Sequence, residues 1–318
     1  MACSTQLVTL GLADGVLVHK GCIPLFIIRD ARRACACIML IIRTTIGVLM
    51  DKKIAFIGAG KMAEALIGGL IAKGIFAKEE IVACAPSVKT RDHVKETYGI
   101  DTYRSAAEIV GMADLVVLAV KPKHVSSVFS EPGISFSPEQ TLISIVAGLT
   151  LNTLQEYVPD SKVVRVMPNH CCMVLEGAMG YTCGNGFNET DKKYIARILE
   201  STGLAIEVPE EYMDAITGIA GSSPAFMYLI IDAMADAGVL NGLSRSDSIK
   251  LAAQSMLGAA KMVLETGKHP DQLRDEVCSP AGTTIVGVKT LEDKGLRSAM
   301  IAAVDNTIAK SRMMSNKD

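Results

Sequence analysis

A glycine-rich segment and a hydroxyl-rich segment carry the residue types best suited to chemistry. The glycine-rich segment is Gly58-Ala59-Gly60-Lys61-Met62-Ala63, and it follows the short apolar run Ile54–Ile57. Its first glycine permits a tight turn, its second lets the backbone approach a pyrophosphate, and Ala63 is small enough for close helix–strand packing. The N–H groups at the start of the following helix would face the phosphates. This segment therefore predicts a dinucleotide site, with these candidate cofactor-binding residues: Gly58, Gly60, Lys61 and Met62.

The hydroxyl-rich segment is Cys278-Ser279-Pro280-Ala281-Gly282-Thr283-Thr284, which leads into a predicted helix. Hydroxyl and backbone donors at a helix N-terminus suit a carboxylate, and the helix dipole adds roughly 0.3–1 kcal/mol. A helix cap without a ligand would use the same residue types. The crowding of three hydroxyls and a glycine favours a binding site.

The end of the second predicted strand bears on the choice of cofactor. An NAD-binding fold places an acid there, about twenty residues beyond the glycines, to bind the ribose. Here the chain reads Ala85-Pro86-Ser87 with no acid, and Lys89 and Arg91 follow. A 2′-phosphate suits such a site, so we predict NADPH in preference to NADH, with Ala85, Pro86 and Ser87 at the cofactor. Lys89 and Arg91 as a solvated helix face is the alternative.

Strands and helices must alternate to position these segments. Apolar runs predict strands, and helical stretches separate them: Ile54–Ile57, Glu80–Cys84, Asp114–Val120, Thr141–Val146, Lys162–Met167 and, after a helix over 189–202, Leu204–Val208. This order predicts an α/β fold whose N-terminal part is a doubly wound Rossmann domain. Right-handed crossovers bring the carboxyl ends of its strands to one edge, where ligands bind. That edge would also carry Lys121-Pro122, Ala147-Gly148 and Asn169.

The second half of the chain is predicted to be all-helical. Four stretches have apolar residues at helical spacing: Pro224–Leu240, Arg245–Thr266, His269–Cys278 and Gly282–Arg312. The segment Ile249–Leu264 is apolar on more than one face, which is typical of a helix packed between others and indicates a subunit interface. We therefore predict a Rossmann domain over 50–209 and a helical substrate-binding and dimerisation domain over 210–318.

Composition excludes several classes of function. With 49% hydrophobic and 21% charged residues, a net charge of −2 and no Trp, the 318-residue chain has no nucleic-acid footprint. The nine cysteines and five histidines show no metal-ligand spacing, so we predict no metal site and a cytoplasmic protein with reduced thiols. The apolar run at 37–42 is too short to span a bilayer, and we predict no membrane partner. We expect residues 1–49 to be an extension from an upstream start assignment, because Met50 directly precedes the first strand.

From Lys53 to about Met313 the chain resembles the pyrroline-5-carboxylate reductase family. Ordered motifs carry the resemblance: Gly58–Ala63, Leu118–Pro122, Ser144–Gly148, Arg165–Asn169, Asp214–Gly218, Gly221–Ala225, Leu257–Met262 and Ser279–Thr284. It implies NAD(P)H-dependent reduction of the ring imine of 1-pyrroline-5-carboxylate to L-proline, the last step of proline biosynthesis. It further implies a homodimer formed by interlocked helical domains, or a homodecamer of five dimers, in which the loop of one subunit completes the site of its partner.

The resemblance also implies residue roles. The cofactor would be bordered by a second group of residues: Val120, Lys121, Pro122, Ala147 and Asn169. The substrate carboxylate would be held by the loop residues: Ser279, Gly282, Thr283 and Thr284. Thr284 would also lie beside the ring nitrogen as the catalytic hydrogen-bond donor.

The chain departs from the usual family pattern at His170, Ser223 and Ala281. Ala281 adds a methyl group where backbone donors should approach a carboxylate, and a positive φ there would strain it. Two alternatives therefore stay open: a reductase of a related cyclic imine, and a non-catalytic NADP-binding homologue. A hydroxy-acid dehydrogenase is disfavoured because His269 is the sole histidine of the helical half.

Overall fold

The computed structural model describes residues 52–315 of the 318-residue chain. The predicted extension over residues 1–49 lies outside the described residues. The description below concerns the described part alone.

One eight-stranded sheet organises the first half, with strand order β3-β2-β1-β4-β5-β6-β7-β8. Its strands are β1 (Ile54–Ile57), β2 (Ile81–Cys84), β3 (Asp101–Tyr103), β4 (Leu115–Leu118), β5 (Thr141–Ser144), β6 (Lys162–Met167), β7 (Gly177–Cys183) and β8 (Gly203–Glu207). The strands β1, β2, β4 and β5 are buried along their whole length. Their continuous apolar runs are what a parallel sheet covered on both faces requires. The predicted doubly wound sheet is confirmed.

Two strands were not predicted from the sequence. The strand β3 pairs parallel to β2 at the sheet edge, and β7 pairs antiparallel to β6. Asp101–Tyr103 has only three residues and is partly exposed, so it lacks an apolar run. Gly177–Cys183 contains Gly177 and Gly180, and the side chain of Ile216 occupies the space beside Gly180. Glycine lowers strand propensity, but here it admits a neighbouring helix.

Helices cover both faces of this sheet. The first half contributes α1 (Lys61–Ala72), α2 (Val88–Tyr98), α3 (Val125–Phe129), α4 (Leu151–Tyr157) and α5 (Glu189–Leu199). Successive residues of β1 point to opposite faces, so Ile54 and Phe56 join one apolar core while Ala55 and Ile57 join the other. The helices α1 and α5 pack on the first core. Two buried layers thus fix the strand ends at one edge.

The second half is helical, as predicted. It contains α6 (Met213–Ile216), a π-helical turn (Thr217–Gly221), α7 (Ser223–Leu240), α8 (Arg245–Thr266), α9 (Pro270–Val277), α10 (Thr283–Asp293) and α11 (Leu296–Ser315). The single helix predicted over Gly282–Arg312 is wrong, because Gly295 adopts φ +76° and divides it into α10 and α11. A left-handed glycine commonly ends a helix.

Candidate functional site

The glycine turn after β1 has the backbone that the fingerprint predicts. Gly58 adopts φ +99°, and its N–H donates a hydrogen bond to the carbonyl of Cys84 at 3.0 Å. A Cβ at Gly58 would lie 2.6 Å from the carbonyl oxygen of Ala119. Both the dihedral angle and the approach of the strand-β4 loop therefore require glycine here.

Gly60 starts α1 and leaves its end open. The residue is the N-cap, no side chain caps the helix, and the first helical hydrogen bond runs from the Glu64 N–H to the Gly60 carbonyl at 2.9 Å. The N–H groups of Lys61 and Met62 therefore point out of the helix end. A Cβ added at Gly60 would meet no atom within 4 Å, so there is open space where a pyrophosphate would bind. These four predicted residues thus form a cradle that fits a dinucleotide.

A buried carboxylate lies in the first turn of α1. Glu64 is 7% exposed, and its oxygens lie 3.4 Å from Lys61 Nζ and 3.1 Å from His93 Nε2. These nitrogens hold the carboxylate against α2, beside the helix end that would receive the phosphates. The basic groups reduce the repulsion that a buried acid would exert on a phosphate there.

A cleft of about 430 Å³ opens at the ends of β1, β2 and β4. Its lining includes the predicted cofactor residues Gly58, Pro86 and Val120. Lys121 and Pro122 follow β4 directly, and Pro122 begins a 3₁₀ turn. Ala85 is buried and Ser87 exposed at the end of β2.

The same cleft contains residues that the sequence analysis did not select: Arg104, Ser105, His124, Ser127 and Glu131. Cys84 also lines it, and burial raises the pKa of its thiol to about 11. The thiol is therefore neutral near pH 7 and acts as an apolar wall. Arg104 and Ser105 follow β3, the short polar strand that the sequence pattern did not reveal.

Hydrogen bonds already occupy the predicted 2′-phosphate groups in part. Ser87 Oγ accepts from the Thr90 N–H at 3.4 Å and so caps α2. Arg91 Nη1 donates to the carbonyls of Ala85 at 2.7 Å and Pro86 at 2.9 Å. Arg91 thus shapes the loop after β2, whereas Lys89 remains exposed. The expectation of two free cations at this strand end is met by Lys89 only.

A second cleft, of about 380 Å³, lies at the ends of β5 and β6. The predicted cofactor residue Ala147 lines it together with Gly148 and Met167. Its opposite wall comes from the π-helical turn and α11, with polar residues absent from the sequence-based set: Thr217, Ser222, Asn306, Thr307, Lys310 and Ser311. No motif marks these positions, because the fold brings them to Ala147 from more than 65 residues away in the chain.

The side chain of Asn169 serves as a structural link. Its Oδ1 accepts from the N–H groups of Cys171 and Ala178, both at 3.2 Å, and its Nδ2 donates to the Ala220 carbonyl at 3.1 Å. Asn169 therefore ties the end of β6 to β7 and to the π-helical turn. Only its backbone remains available to a cofactor at this edge.

A buried ion pair supports the second cleft. Arg165 is 8% exposed, and its Nη1 donates to Glu210 Oε1 at 2.9 Å. The same oxygen accepts from the Leu151 N–H at the start of α4, at 2.7 Å. Glu210 begins the helical half, so this pair joins that half to the sheet.

The hydroxyl-rich loop forms a tight turn between α9 and α10. The Gly282 N–H donates to the Ser279 carbonyl at 3.1 Å, with Pro280 and Ala281 at the two central positions. Ala281 adopts φ +55°, so the conditional expectation of backbone strain applies. Gly282 is the N-cap of α10 and has no side-chain cap, which leaves the helix end open to an anion.

This loop is exposed within a single chain. Ser279, Thr283 and Thr284 are all exposed, and the lining of neither cleft includes them. One chain therefore does not bring the predicted substrate residues to the predicted cofactor edge.

The helical half also exposes large apolar side chains. The most exposed are Leu240 at 86%, Leu264 at 74% and Leu229 at 72%. Soluble proteins rarely leave an apolar surface of this extent in water, so it marks an interaction surface.

His170 lies beside Asn169 and contacts α7. Its Nδ1 is 3.3 Å from the Tyr228 hydroxyl, and the two rings meet edge to face. The pair joins the end of β6 to the helical half. Both side chains are exposed in the single chain.

Two searches concern the described residues as a whole. Within residues 52–315, no three His, Cys, Asp or Glu side chains group together as metal ligands. The stretch Glu210–Leu240 is long and apolar enough to cross a membrane by length and composition, with a hydropathy of 1.3.

Two family models match the chain. Residues 210–314 match the model described as pyrroline-5-carboxylate reductase dimerisation. Residues 53–148 match the model described as NADP oxidoreductase, coenzyme F420-dependent. The two matches fall on the helical half and on the strands that form the glycine turn.

Curated relatives are similar over most of the chain. A pyrroline-5-carboxylate reductase of Methanosarcina acetivorans is 43% identical over 268 residues, covering 84% of this chain and 99% of the relative. The corresponding protein of Escherichia coli is 40% identical over 267 residues, with coverages of 84% and 99%.

Solved structures agree with this similarity. The pyrroline-5-carboxylate reductase of Coxiella burnetii superposes with a TM-score of 0.78 at 33% identity, covering 83% of this chain and 99% of that one. The pyrroline carboxylate reductase of Plasmodium falciparum, solved with NADP bound, gives a TM-score of 0.73 at 36% identity, with coverages of 84% and 99%.

Proposed function

The chain belongs to the pyrroline-5-carboxylate reductase family, and we propose that its own residues carry out the reaction of that family. The reaction is NAD(P)H-dependent reduction of 1-pyrroline-5-carboxylate to L-proline, the last step of proline biosynthesis. The observation that carries the assignment to residues is the presence of two open helix ends in one chain. One is the glycine cradle at α1, and the other is the hydroxyl-lined turn at α10.

The cofactor is held by backbone more than by side chains. Gly60, Lys61 and Met62 present N–H groups at the end of α1, where the helix dipole favours phosphate. The bound nicotinamide cofactor supplies a hydride to the imine carbon. The backbone of Ala147 and Asn169, at the ends of β5 and β6, would border the nicotinamide half. Val120, Lys121 and Pro122 would border the centre of the dinucleotide.

The loop 279–284 would hold the imine substrate. The open N-terminus of α10 and the hydroxyls of Ser279 and Thr283 suit its carboxylate. Thr284 Oγ1 would donate a hydrogen bond to the ring nitrogen. A free hydroxyl is a weak acid, so its role is to orient the imine and stabilise charge at nitrogen, while solvent supplies the proton. No charged acid from the protein is needed, because protonation of the imine activates its carbon.

We infer that a partner subunit completes each site. The loop is exposed in the single chain and lines neither cleft at the strand edge. The exposed leucines of α7 and α8 supply the apolar surface for the helical domains to interlock. A homodimer is therefore the proposed catalytic unit, and a homodecamer of five dimers is the larger assembly that the resemblance implies.

The same interface accounts for the apolar stretch Glu210–Leu240. A 3₁₀ turn at its start and the π-helical turn Thr217–Gly221 interrupt it. Asp214, Asp232 and Asp236 lie within it, and a bilayer-spanning helix rarely carries such acids. We propose that a second subunit covers this stretch, and that the protein has neither a membrane nor a nucleic acid as partner.

The proposed domain limits are 50–209 and 210–318. The match of the dimerisation model to residues 210–314 supports the second. A cytoplasmic location is supported by the free thiols of the described cysteines, such as Cys84 and Cys183, which suit a reducing compartment.

A second candidate function rests on Ala281. Its positive φ and its methyl group alter the turn that would receive the carboxylate, so a related cyclic imine with a different carboxylate position is the alternative substrate. A non-catalytic NADP-binding role would follow if no cyclic imine were reduced.

The test is a turnover measurement on the full chain. NADPH oxidation should depend on added 1-pyrroline-5-carboxylate and should yield proline in equal amount. Replacing that substrate by the six-membered ring imine carboxylate tests the alternative. NADPH binding with no oxidation by either imine would refute the enzymatic proposal and leave the binding role.

A further inference from the structure

We propose that Arg104, which follows β3, is the cation that recognises the 2′-phosphate of NADPH and sets the preference over NADH. The inference rests on the proposed function only in that the chain binds NADP. It assigns a specificity role to a residue outside the glycine fingerprint and outside the loop after β2.

The residues that the sequence pattern selects for this role are largely occupied. Arg91 uses Nη1 to bridge the carbonyls of Ala85 and Pro86, and the Ser87 hydroxyl caps α2. Each group is therefore oriented towards its own loop. An additional cation is needed to bind a dianionic phosphate strongly.

Arg104 lies beside this loop because β3 pairs with β2. Cys84 is paired with Tyr103, and the Ala85 N–H donates to the Tyr103 carbonyl at 3.1 Å. The next residue after Tyr103 is Arg104, so its backbone is adjacent to the Ala85-Pro86-Ser87 turn. Its side chain lines the 430 Å³ cleft together with Gly58 and Pro86. That cleft is where the adenosine half would lie, given the pyrophosphate cradle at Gly60.

The guanidinium of Arg104 is available. It is exposed, and within residues 52–315 no carboxylate lies close enough to form an ion pair with it. The nearby acids bind the loop backbone instead. Glu108 Oε1 accepts from the Ser105 N–H at 2.9 Å, and Glu131 Oε2 accepts from the Ala106 N–H at 3.3 Å. Both contacts hold the main chain that carries Arg104.

Glu131 gives the proposal its sharpest consequence. It lines the same cleft, where His124 is the other titratable side chain besides Cys84. With Arg104 present, a 2′-phosphate gains a bidentate cation that offsets Glu131. Without Arg104, the acid faces the phosphate unopposed, whereas a 2′-hydroxyl suffers no such repulsion. Removal of Arg104 should therefore reverse the preference between the two cofactors.

The test is a calorimetric titration of the full chain with two fragments that contain no nicotinamide, 2′,5′-ADP and 5′-AMP. The variants are Arg104→Gln, Arg104→Lys and, as a matched control, Arg197→Gln, which removes an exposed arginine from α5. Arg104→Gln should weaken 2′,5′-ADP about tenfold or more, while 5′-AMP changes less than about twofold. Arg104→Lys should restore most of the affinity, and the control should match the wild type. Arg104→Gln should also bind NADH at least as tightly as NADPH.

An unchanged affinity of Arg104→Gln for 2′,5′-ADP would overturn the inference, as would an equal loss for both fragments. In either case proline formation by the wild type would leave the proposed function standing. A wild type that binds both fragments but reduces no imine would instead refute the function and leave the role of Arg104 intact. Circular dichroism of each variant separates a folding defect from a binding defect.

Discussion

Ala281→Gly is the substitution whose outcome depends most directly on the geometry of the substrate loop. Ala281 is the third residue of the Ser279–Gly282 turn and has φ +55°. A turn with positive φ at this position favours glycine, because a Cβ there approaches the backbone. We expect the glycine variant to be more stable than the natural chain, which is unusual for an alanine-to-glycine change.

The magnitude follows from two opposing terms. The left-handed region costs an alanine roughly 1–2 kcal/mol. Glycine loses about 0.5–1 kcal/mol of extra chain entropy on folding. The variant should therefore gain about 0.5–1 kcal/mol, which corresponds to a rise of about 1–3 °C in Tm for a domain of this size.

The assay is urea denaturation of both proteins, with Ala260→Gly as the matched control. Ala260 is exposed within α8, where the same change should cost about 1 kcal/mol. A destabilised Ala281→Gly, by an amount similar to the control, would refute the positive φ and with it the proposed turn. The substrate KM of Ala281→Gly should not rise, since the change also removes the methyl group from the carboxylate site.

Four further changes test other parts of the site. Thr284→Ala should lower kcat about 10- to 100-fold through loss of one hydrogen bond to a charged nitrogen, and Thr284→Ser should recover most of it; full turnover of the alanine variant would remove the assigned role. Gly58→Ala should abolish NADPH binding in calorimetry, because its Cβ would lie 2.6 Å from the Ala119 carbonyl oxygen; wild-type affinity would contradict the glycine turn. The buried Cys84 thiol has its pKa raised from 9.0 to about 11, so its protonated form is favoured in the folded state and its contribution to stability is lost as the pH rises from 9 to 11; Cys84→Ser should show a shallower decline in urea denaturation over this range, and identical declines would exclude the effect. Leu229→Glu should shift the protein to a smaller species in size-exclusion chromatography and reduce turnover while NADPH binding persists; an unchanged size would place the interface elsewhere.

The sequence pattern predicted the central strands well because parallel strands buried on both faces are continuous apolar runs. Ile54–Ile57 and Lys162–Met167 were predicted with the bounds that the structure has. Gly74 was predicted to end α1, and it adopts φ +62° just beyond the helix. Local backbone chemistry is thus readable from the residue types.

Elements defined by tertiary contact were not readable in the same way. The strand β3 is short and polar, so its pairing with β2, and with it the position of Arg104, follows from the sheet alone. The break at Gly295 was missed because the apolar spacing continues on both sides of it. Arg91 was selected for its charge, but its hydrogen bonds to Ala85 and Pro86 depend on the folded loop.

The central claim is that this chain reduces 1-pyrroline-5-carboxylate at a site shared between two subunits. Its most direct test mixes two inactive variants, Gly58→Ala and Thr284→Ala, that are denatured together and refolded so that subunits recombine. If the cradle and the loop of one site come from different chains, mixed dimers contain one intact site, and NADPH-dependent proline formation should reappear at about a quarter of the wild-type rate, the estimate for random pairing in a twofold dimer. Restored activity in the mixture is the result that the account predicts. Activity no higher than the mean of the two variants refolded separately, with the wild type recovering fully under the same treatment, would contradict it.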